Sequence, residues 1–285
     1  MDITRVCVVG GGTMGNGIAH VFAHKGFEVT LVEADKELAD KALATIAKNM
    51  QRQVAKGGMT AVDKDAAWAR LKTATSVAQA AGFHFAVEAV PERLDIKTGV
   101  FKELELHGAP GAILATNTSS LPITAIAAAL KDPSRVIGMH FMNPVPVMRL
   151  VEIIRGKKTS DATTAVTKEL TIKLDKVPAV SNDFPGFVSN RVLMPMINEA
   201  ILCLQEGVST KEDIDTIMKL GMAHPMGPIA LADYIGLDVC LAIMEVLDKG
   251  FGGVKYKPSE LLRRMVADGK LGVKSGSGFY EYPKK

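Results

Sequence analysis

Through the first part of the chain, short apolar runs alternate with stretches whose apolar residues recur at helical spacing. Residues 5–9 (RVCVV) suit a strand buried on both faces. Glycines 10, 11, 12, 15 and 17 follow, then an amphipathic stretch from Met14 to about His24 that Gly26 closes. Residues 28–32 (EVTLV) repeat the strand pattern, and Asp35 is placed to cap a long helix over about 36–56 that ends at Gly57 and Gly58. Further apolar runs at 83–90, 112–116 and 135–141 are separated by helical patterns near 94–106 and 122–130. Strand candidates at 147–154 and 177–181 flank a helix at about 161–174. This alternation predicts an α/β fold of Rossmann type, with a mostly parallel sheet wrapped by helices.

The pattern changes after Asn182. Residues 183–186 (DFPG) read as a linker, and beyond them only helical patterns occur, over about 186–206, 210–220, 228–249 and 258–268. Ser209 and Glu212 have capping-box spacing for the second of these. The sequence therefore divides into an α/β domain over 1–183 and an all-helical C-terminal domain over 184–285. A length of 285 residues suits two domains at roughly 100–200 residues each. Hydrophobic residues at 47% and charged residues at 23% suit a soluble globular protein, and a net charge of +3 is too small to suggest a nucleic-acid partner. No apolar window is long enough for a membrane span, and the first residues lack a signal-peptide pattern. Cys7, Cys203 and Cys240 are too widely spaced for a zinc knuckle or a disulfide framework. A cytoplasmic protein without membrane or nucleic-acid partners is the expectation.

The chemistry concentrates where strands end. Gly10, Gly12 and Gly15 fit G-x-G-x-x-G between a strand and a helix, the context that gives this pattern meaning. Gly10 makes the tight turn, Gly12 lets pyrophosphate approach the backbone, and Gly15 allows close helix–sheet packing. The helix N-terminus offers free N–H groups to phosphate. The loop residues Gly10, Gly11, Gly12, Thr13, Met14 and Gly15 are the candidate contacts. Glu33 ends the second strand, where a carboxylate accepts hydrogen bonds from ribose hydroxyls and repels a 2′-phosphate. NAD is favoured over NADP, Lys36 softens that preference, and FAD is the rival ligand.

Three later strand ends carry hydrogen-bonding side chains: Glu92 with Lys97, the run Asn117-Thr118-Ser119-Ser120, and His140 with Asn143. Glu152 lies in an apolar strand context (LVEII), where a carboxylate is costly unless paired. His140 is its natural partner, in the manner of a base and the group that orients it. Asn190-Arg191 opens the first helix of the second domain. Asn49, Arg52 and Lys56 share one face of the long helix and form a cationic stripe, which spacing alone reads as a solvated helix face.

Six segments together resemble the 3-hydroxyacyl-CoA dehydrogenases, and among them the short bacterial members acting on 3-hydroxybutyryl-CoA. They are VVGGGTMGNGIA (8–19), EAVPERLDIK (88–97), ATNTSSLPI (115–123), GMHFMNPVPVMRLVEII (138–154), NDFPGFVSNRVLMPMINEA (182–200) and HPMGPIALADYIGLD (224–238). The resemblance implies reversible oxidation of an (S)-3-hydroxyacyl-CoA to a 3-oxoacyl-CoA with NAD, or NADH in reverse, and no metal. It implies His140 as catalytic base, Glu152 as its orienting carboxylate, and Ser119 and Asn190 at the reacting oxygen. Glu33, Glu92, Lys97 and Lys274 would contact the dinucleotide, with Ser119 and Asn143 near the nicotinamide. Asn49 and Lys56 would contact coenzyme A, and the second domain would bind substrate and form a homodimer. The competing readings are a dehydrogenase of a free 3-hydroxy acid or sugar acid, and a non-enzymatic NAD-binding sensor.

Overall fold

A computed structural model describes residues 2–283 and divides the chain into two compact units, one ending at Phe184 and the other beginning at Pro185. In the first unit the apolar runs become the strands β1 (Arg5–Val9), β2 (Glu28–Val32), β3 (Leu71–Ala74), β4 (Phe85–Glu88), β5 (Ile113–Thr116), β6 (Val136–Phe141), β7 (Leu150–Arg155) and β8 (Val177–Asn182). They form one sheet in the order β3-β2-β1-β4-β5-β6-β7-β8. All neighbours pair in parallel except β6 with β7. The strand order reverses between β1 and β4, the switch point outside which open α/β sheets bind ligands.

Helices α1 (Thr13–His24), α2 (Lys36–Ala55), α3 (Ala61–Ala69), α4 (Leu94–His107), α5 (Ile123–Ala127) and α6 (Asp161–Lys173) pack around this sheet. Asp35 caps α2 as its position suggests, accepting from the Leu38 N–H at 2.8 Å. The sequence reading passes over α3 and β3. The Thr60-x-x-Asp63 cap of α3 is visible in the sequence, since Thr60 Oγ1 accepts from Asp63 N–H at 3.0 Å. β3 is a short edge strand with Lys72 and Thr73 exposed, so it carries little apolar signal. Helix α6 buries threonines: the hydroxyls of Thr164, Thr167 and Thr171 each donate to the carbonyl four residues back, at 2.8–3.0 Å. A polar-looking helix face can in this way stand in a core without unsatisfied groups.

The second unit is helical among the described residues, with α7 (Ser189–Gln205), α8 (Lys211–Leu220), α9 (Pro228–Ile235), α10 (Leu237–Gly250) and α11 (Glu260–Ala267) around a core that includes Met194, Ile201, Leu237, Met244 and Leu262. Two expectations change here. The single helix expected over 228–249 breaks at Gly236, whose φ of +105° a helix cannot accommodate. The cap of α8 is Thr210 with Asp213, not Ser209 with Glu212: Thr210 Oγ1 accepts from Asp213 N–H at 3.2 Å. Cys7 and Cys240 are fully buried, and burial pushes both thiols up to about 12, so they serve as small core hydrophobes. No helix among the described residues is long and apolar enough to cross a membrane.

Candidate active site

The glycine loop leaves β1 and opens α1 with Gly12 as the capping residue and no side chain closing the helix end. Gly10 has φ +94°, and a Cβ on Gly15 would stand 1.6 Å from the Gly10 carbonyl oxygen. Gly12 is different: a Cβ there would meet nothing within 4 Å. The first two glycine-dependent positions serve the protein's own packing, while Gly12 leaves open space directly over the helix N-terminus. Glu33 stands at the rim of the loop, with Oε1 accepting from the Gly11 N–H at 2.5 Å and Oε2 from the Ala34 N–H at 3.1 Å. Lys36 turns away into an exposed pair with Asp40. Open backbone donors at a helix end, beside a fixed carboxylate, fit the pyrophosphate and ribose of a dinucleotide.

The ends of β4 and β5 are tied together by an ionic cluster. Lys97, from α4, is buried, and its ammonium lies 2.7 Å from Glu88 Oε1 and 3.2 Å from Glu92 Oε2. Glu88 also accepts from the Thr116 hydroxyl at 2.8 Å and from the Val90 N–H at 2.7 Å. Burial raises the Glu88 carboxyl above the ordinary range, and Lys97 offsets this only in part. In Glu92 burial also pushes upward, but the Lys97 charge and the Thr118 and Ser120 hydroxyls outweigh it and hold the group below the ordinary range. Glu92 Oε1 gathers the loop after β5, accepting from the N–H groups of Ser119 at 2.9 Å and Ser120 at 3.0 Å. Breaking a buried pair such as Lys97–Glu88 costs about 3–5 kcal/mol. The sequence reading names Glu92 and Lys97 but misses Glu88. Its signal is an acidic residue ending a buried strand nine positions before a helix lysine.

Beyond β5 the ladder to β6 continues through a side chain, with Asn117 Oδ1 accepting from the Phe141 N–H at 2.9 Å. This bond fixes the strand end at His140. The antiparallel register of β6 and β7 sets His140 opposite Glu152, and cross-strand partners share one face. Both are buried, with His140 Nδ1 3.4 Å from Glu152 Oε2. Ser181, from β8, donates its hydroxyl to the other carboxylate oxygen of Glu152 at 3.2 Å. Ser181 carries no motif, and only the parallel pairing of β7 with β8 brings it near.

The other candidates lie as follows. Asn143 is exposed on the segment after β6. Asn49, in the C-terminal part of α2, and Lys56, the residue that caps its end, line a cavity of about 660 Å³. In the second unit Asn190 is buried near the start of α7, where its N–H donates to the Gly186 carbonyl at 3.1 Å. Arg191 stacks over the Phe251 ring at 4.4 Å and donates to the Tyr256 hydroxyl, a packing role. Lys274 pairs with Asp238 within the same unit.

Residues 5–184 match the family model described as 3-hydroxyacyl-CoA dehydrogenase, NAD binding domain, and residues 186–282 match the model of its C-terminal domain. The chain belongs to the 3-hydroxyacyl-CoA dehydrogenase family. A probable 3-hydroxybutyryl-CoA dehydrogenase of Bacillus subtilis is 51% identical over 100% of this chain and 99% of that protein. A 3-hydroxybutyryl-CoA dehydrogenase of Bradyrhizobium diazoefficiens is 49% identical over 98% of this chain and 96% of its own. The crystal structure of the (S)-3-hydroxybutyryl-CoA dehydrogenase PaaH1 from Ralstonia eutropha superposes with a TM-score of 0.97 at 47% identity, covering 99% of this chain and all of that one. The family's cofactor is NAD, and the open glycine loop with Glu33 fits it.

The glycine geometry separates cofactor binding from folding. Gly12→Ala should leave the thermal midpoint unchanged and weaken NADH binding at least tenfold by fluorescence titration, because the added methyl meets only the ligand. Gly15→Ala should lower the midpoint as well, since its methyl overlaps a backbone carbonyl. Equal NADH affinity in Gly12→Ala and the unaltered protein would contradict the placement of the pyrophosphate.

Proposed function

We propose that the protein interconverts (S)-3-hydroxybutyryl-CoA and acetoacetyl-CoA, with His140 as the acid–base group. The observation that carries this reading is the buried His140–Glu152 pair at the carboxyl end of a strand beside the dinucleotide pocket. Bound NAD supplies the two-electron acceptor for the carbon that bears the hydroxyl. Glu33 and the glycine loop hold its adenosine end, and Glu92 lies with Ser119 and Asn143 on the nicotinamide side, while Lys97 acts mainly by fixing Glu92.

His140 Nδ1 faces Glu152, so Nε2 takes the proton of the substrate hydroxyl. Glu152 favours the imidazolium that results, and Ser181 keeps the carboxylate in place by holding its second oxygen. In the reductive direction the protonated His140 returns that proton to the oxygen as the carbonyl is reduced. Ser119, on the loop gathered by Glu92, hydrogen-bonds the reacting oxygen, and the family resemblance alone gives Asn190 the same part. Such proton transfer contributes roughly 10²–10⁴-fold to rate. Asn49 and Lys56, with Arg52 between them, take the coenzyme A carrier. A non-enzymatic sensor would have no use for the His140–Glu152 pair.

NADH oxidation assayed with acetoacetyl-CoA and with free acetoacetate tests the substrate reading. Turnover of the thioester alone is expected, and equal kcat/KM for the two would return the protein to the free hydroxy-acid class. His140→Gln should lower kcat roughly 10²–10⁴-fold with little change in NADH affinity, and Glu152→Gln should displace the pH–rate profile. Near-normal kcat in His140→Gln would remove it from the chemistry. The second unit exposes Ile217, Leu220, Met222 and Tyr234, which supports a homodimer formed through this unit. Light scattering should give twice the 30.4 kDa chain mass, and a monomer at assay concentration would rule the dimer out.

A further inference from the structure

The buried ions at the ends of β4 and β5 do more than tie two loops together. The Lys97 ammonium has three protons and meets three acceptors: Glu88 Oε1 at 2.7 Å, Glu92 Oε2 at 3.2 Å and the Val90 carbonyl at 3.2 Å. Its hydrogen-bonding capacity is therefore spent inside the protein. Glu88, in turn, meets donors. Oε1 accepts from Lys97 and from the Val90 N–H, and Oε2 accepts from the Thr116 hydroxyl, whose own oxygen accepts from the Thr118 N–H at 3.1 Å. That is the partner set of an ionised carboxylate, and it works against the burial that raises the group. Glu92 is held below the ordinary range and is ionised as well. Two carboxylates and one ammonium leave the cluster with a net negative charge.

Depth gives that charge a direction. The side chains of Glu88 and Lys97 are 0% and 1% exposed and that of Glu92 is 36% exposed, so the cluster meets its surroundings at Glu92. The end of β4 also adjoins the glycine loop, since the Ala89 carbonyl oxygen lies 2.7 Å from where a Cβ on Gly10 would stand. With Glu33 on the adenosine side and the glycine loop at the pyrophosphate, as proposed above, the nicotinamide half lies over the ends of β4 and β5, across the switch point. A nicotinamide ring carries a positive charge when oxidised and none when reduced, while the rest of the cofactor keeps its charge. A fixed negative charge beside the ring therefore acts on one oxidation state and not on the other.

We propose that the Glu88–Lys97–Glu92 cluster sets the preference of the site for NAD+ over NADH by charge, with Glu88 as a specificity-determining residue that does not itself touch the cofactor. This rests on the placement of Glu92 on the nicotinamide side. The second carboxylate is what the positional role leaves unexplained. Lys97 alone would hold Glu92 in place, but Lys97 with Glu92 would be a neutral pair. Glu88 restores the negative charge from beneath, where water does not screen it.

The test compares dissociation constants for NAD+, NADH and ADP-ribose, a probe that lacks the nicotinamide, by calorimetry and NADH fluorescence. Glu88→Gln keeps the size and acceptor of the side chain and removes its charge. It should weaken NAD+ roughly three- to tenfold, the size of one screened charge interaction, with NADH and ADP-ribose within twofold. Glu88→Asp keeps the charge and should keep the NAD+/NADH ratio within twofold, even where both affinities fall. An unchanged ratio in Glu88→Gln overturns the proposal. So does an equal loss of all three ligands, which would mark a disturbed glycine loop. If Glu88→Gln fails to fold, Glu92→Gln removes the same charge at the other carboxylate and is held to the same ratio. A Glu92→Gln protein that binds NAD+ and NADH as the unaltered protein does overturns the placement of Glu92 itself, a result distinct from a failure confined to Glu88.

Discussion

The antiparallel pairing of β6 with β7 is the constraint on which the proposed chemistry depends. Every other neighbouring pair in the sheet is parallel, and a parallel sheet delivers strand ends and loops to a ligand at one edge. The single reversal does something else. It sets two residues twelve positions apart directly opposite one another, inside the sheet rather than on its loops. A histidine and a carboxylate that would each be costly to bury alone become a mutually satisfied pair. A slip of one residue would turn every side chain of β7 to the other face and part them. The bond from the Asn117 side chain to the Phe141 N–H extends the pairing of β6 with the β5 side to the end where His140 sits.

Around this pair the sheet's carboxyl edge is stiffened by buried charge. Lys97 lies between Glu88 and Glu92 and joins the loops after β4 and β5 to α4. Such a cluster is a poor source of net stability, since desolvation consumes most of the Coulomb gain. Its value is positional: Glu92 holds the backbone of Ser119 and Ser120, and so fixes the loop after β5. Glu33 does comparable work across the switch point, holding the glycine loop by the Gly11 N–H. Rigid supports of this kind give a redox site its pre-organised geometry.

Much of this is legible in the residue string. The glycine loop, Glu33 and the alternation of strands and helices follow from local rules, because a tight strand–helix turn and a buried parallel strand each leave a compositional signature. His140 and Glu152 stand out for a similar reason, as polar residues in apolar strands. Glu88, Ser181 and His20 are not singled out. Glu88 reads as an ordinary strand end, Ser181 reaches Glu152 only through a partner strand, and His20 reads as one helix histidine among several. The helix expected over 228–249 fails at Gly236 because helical periodicity persists across the break.

The sequence by itself determined the fold class, the dinucleotide loop and the identity of the polar groups at the strand ends. Each of these depends on neighbours within a few residues, or on periodicity along one element, and such information is written linearly. The tertiary structure decided which of those groups meet. Register placed His140 on Glu152, the cross-over to β8 brought Ser181 to the far side of that carboxylate, and the packing of α1 beside α2 buried His20. Contacts of that kind are set by strand order and helix packing, which bring together residues whose spacing along the chain carries no trace of their meeting.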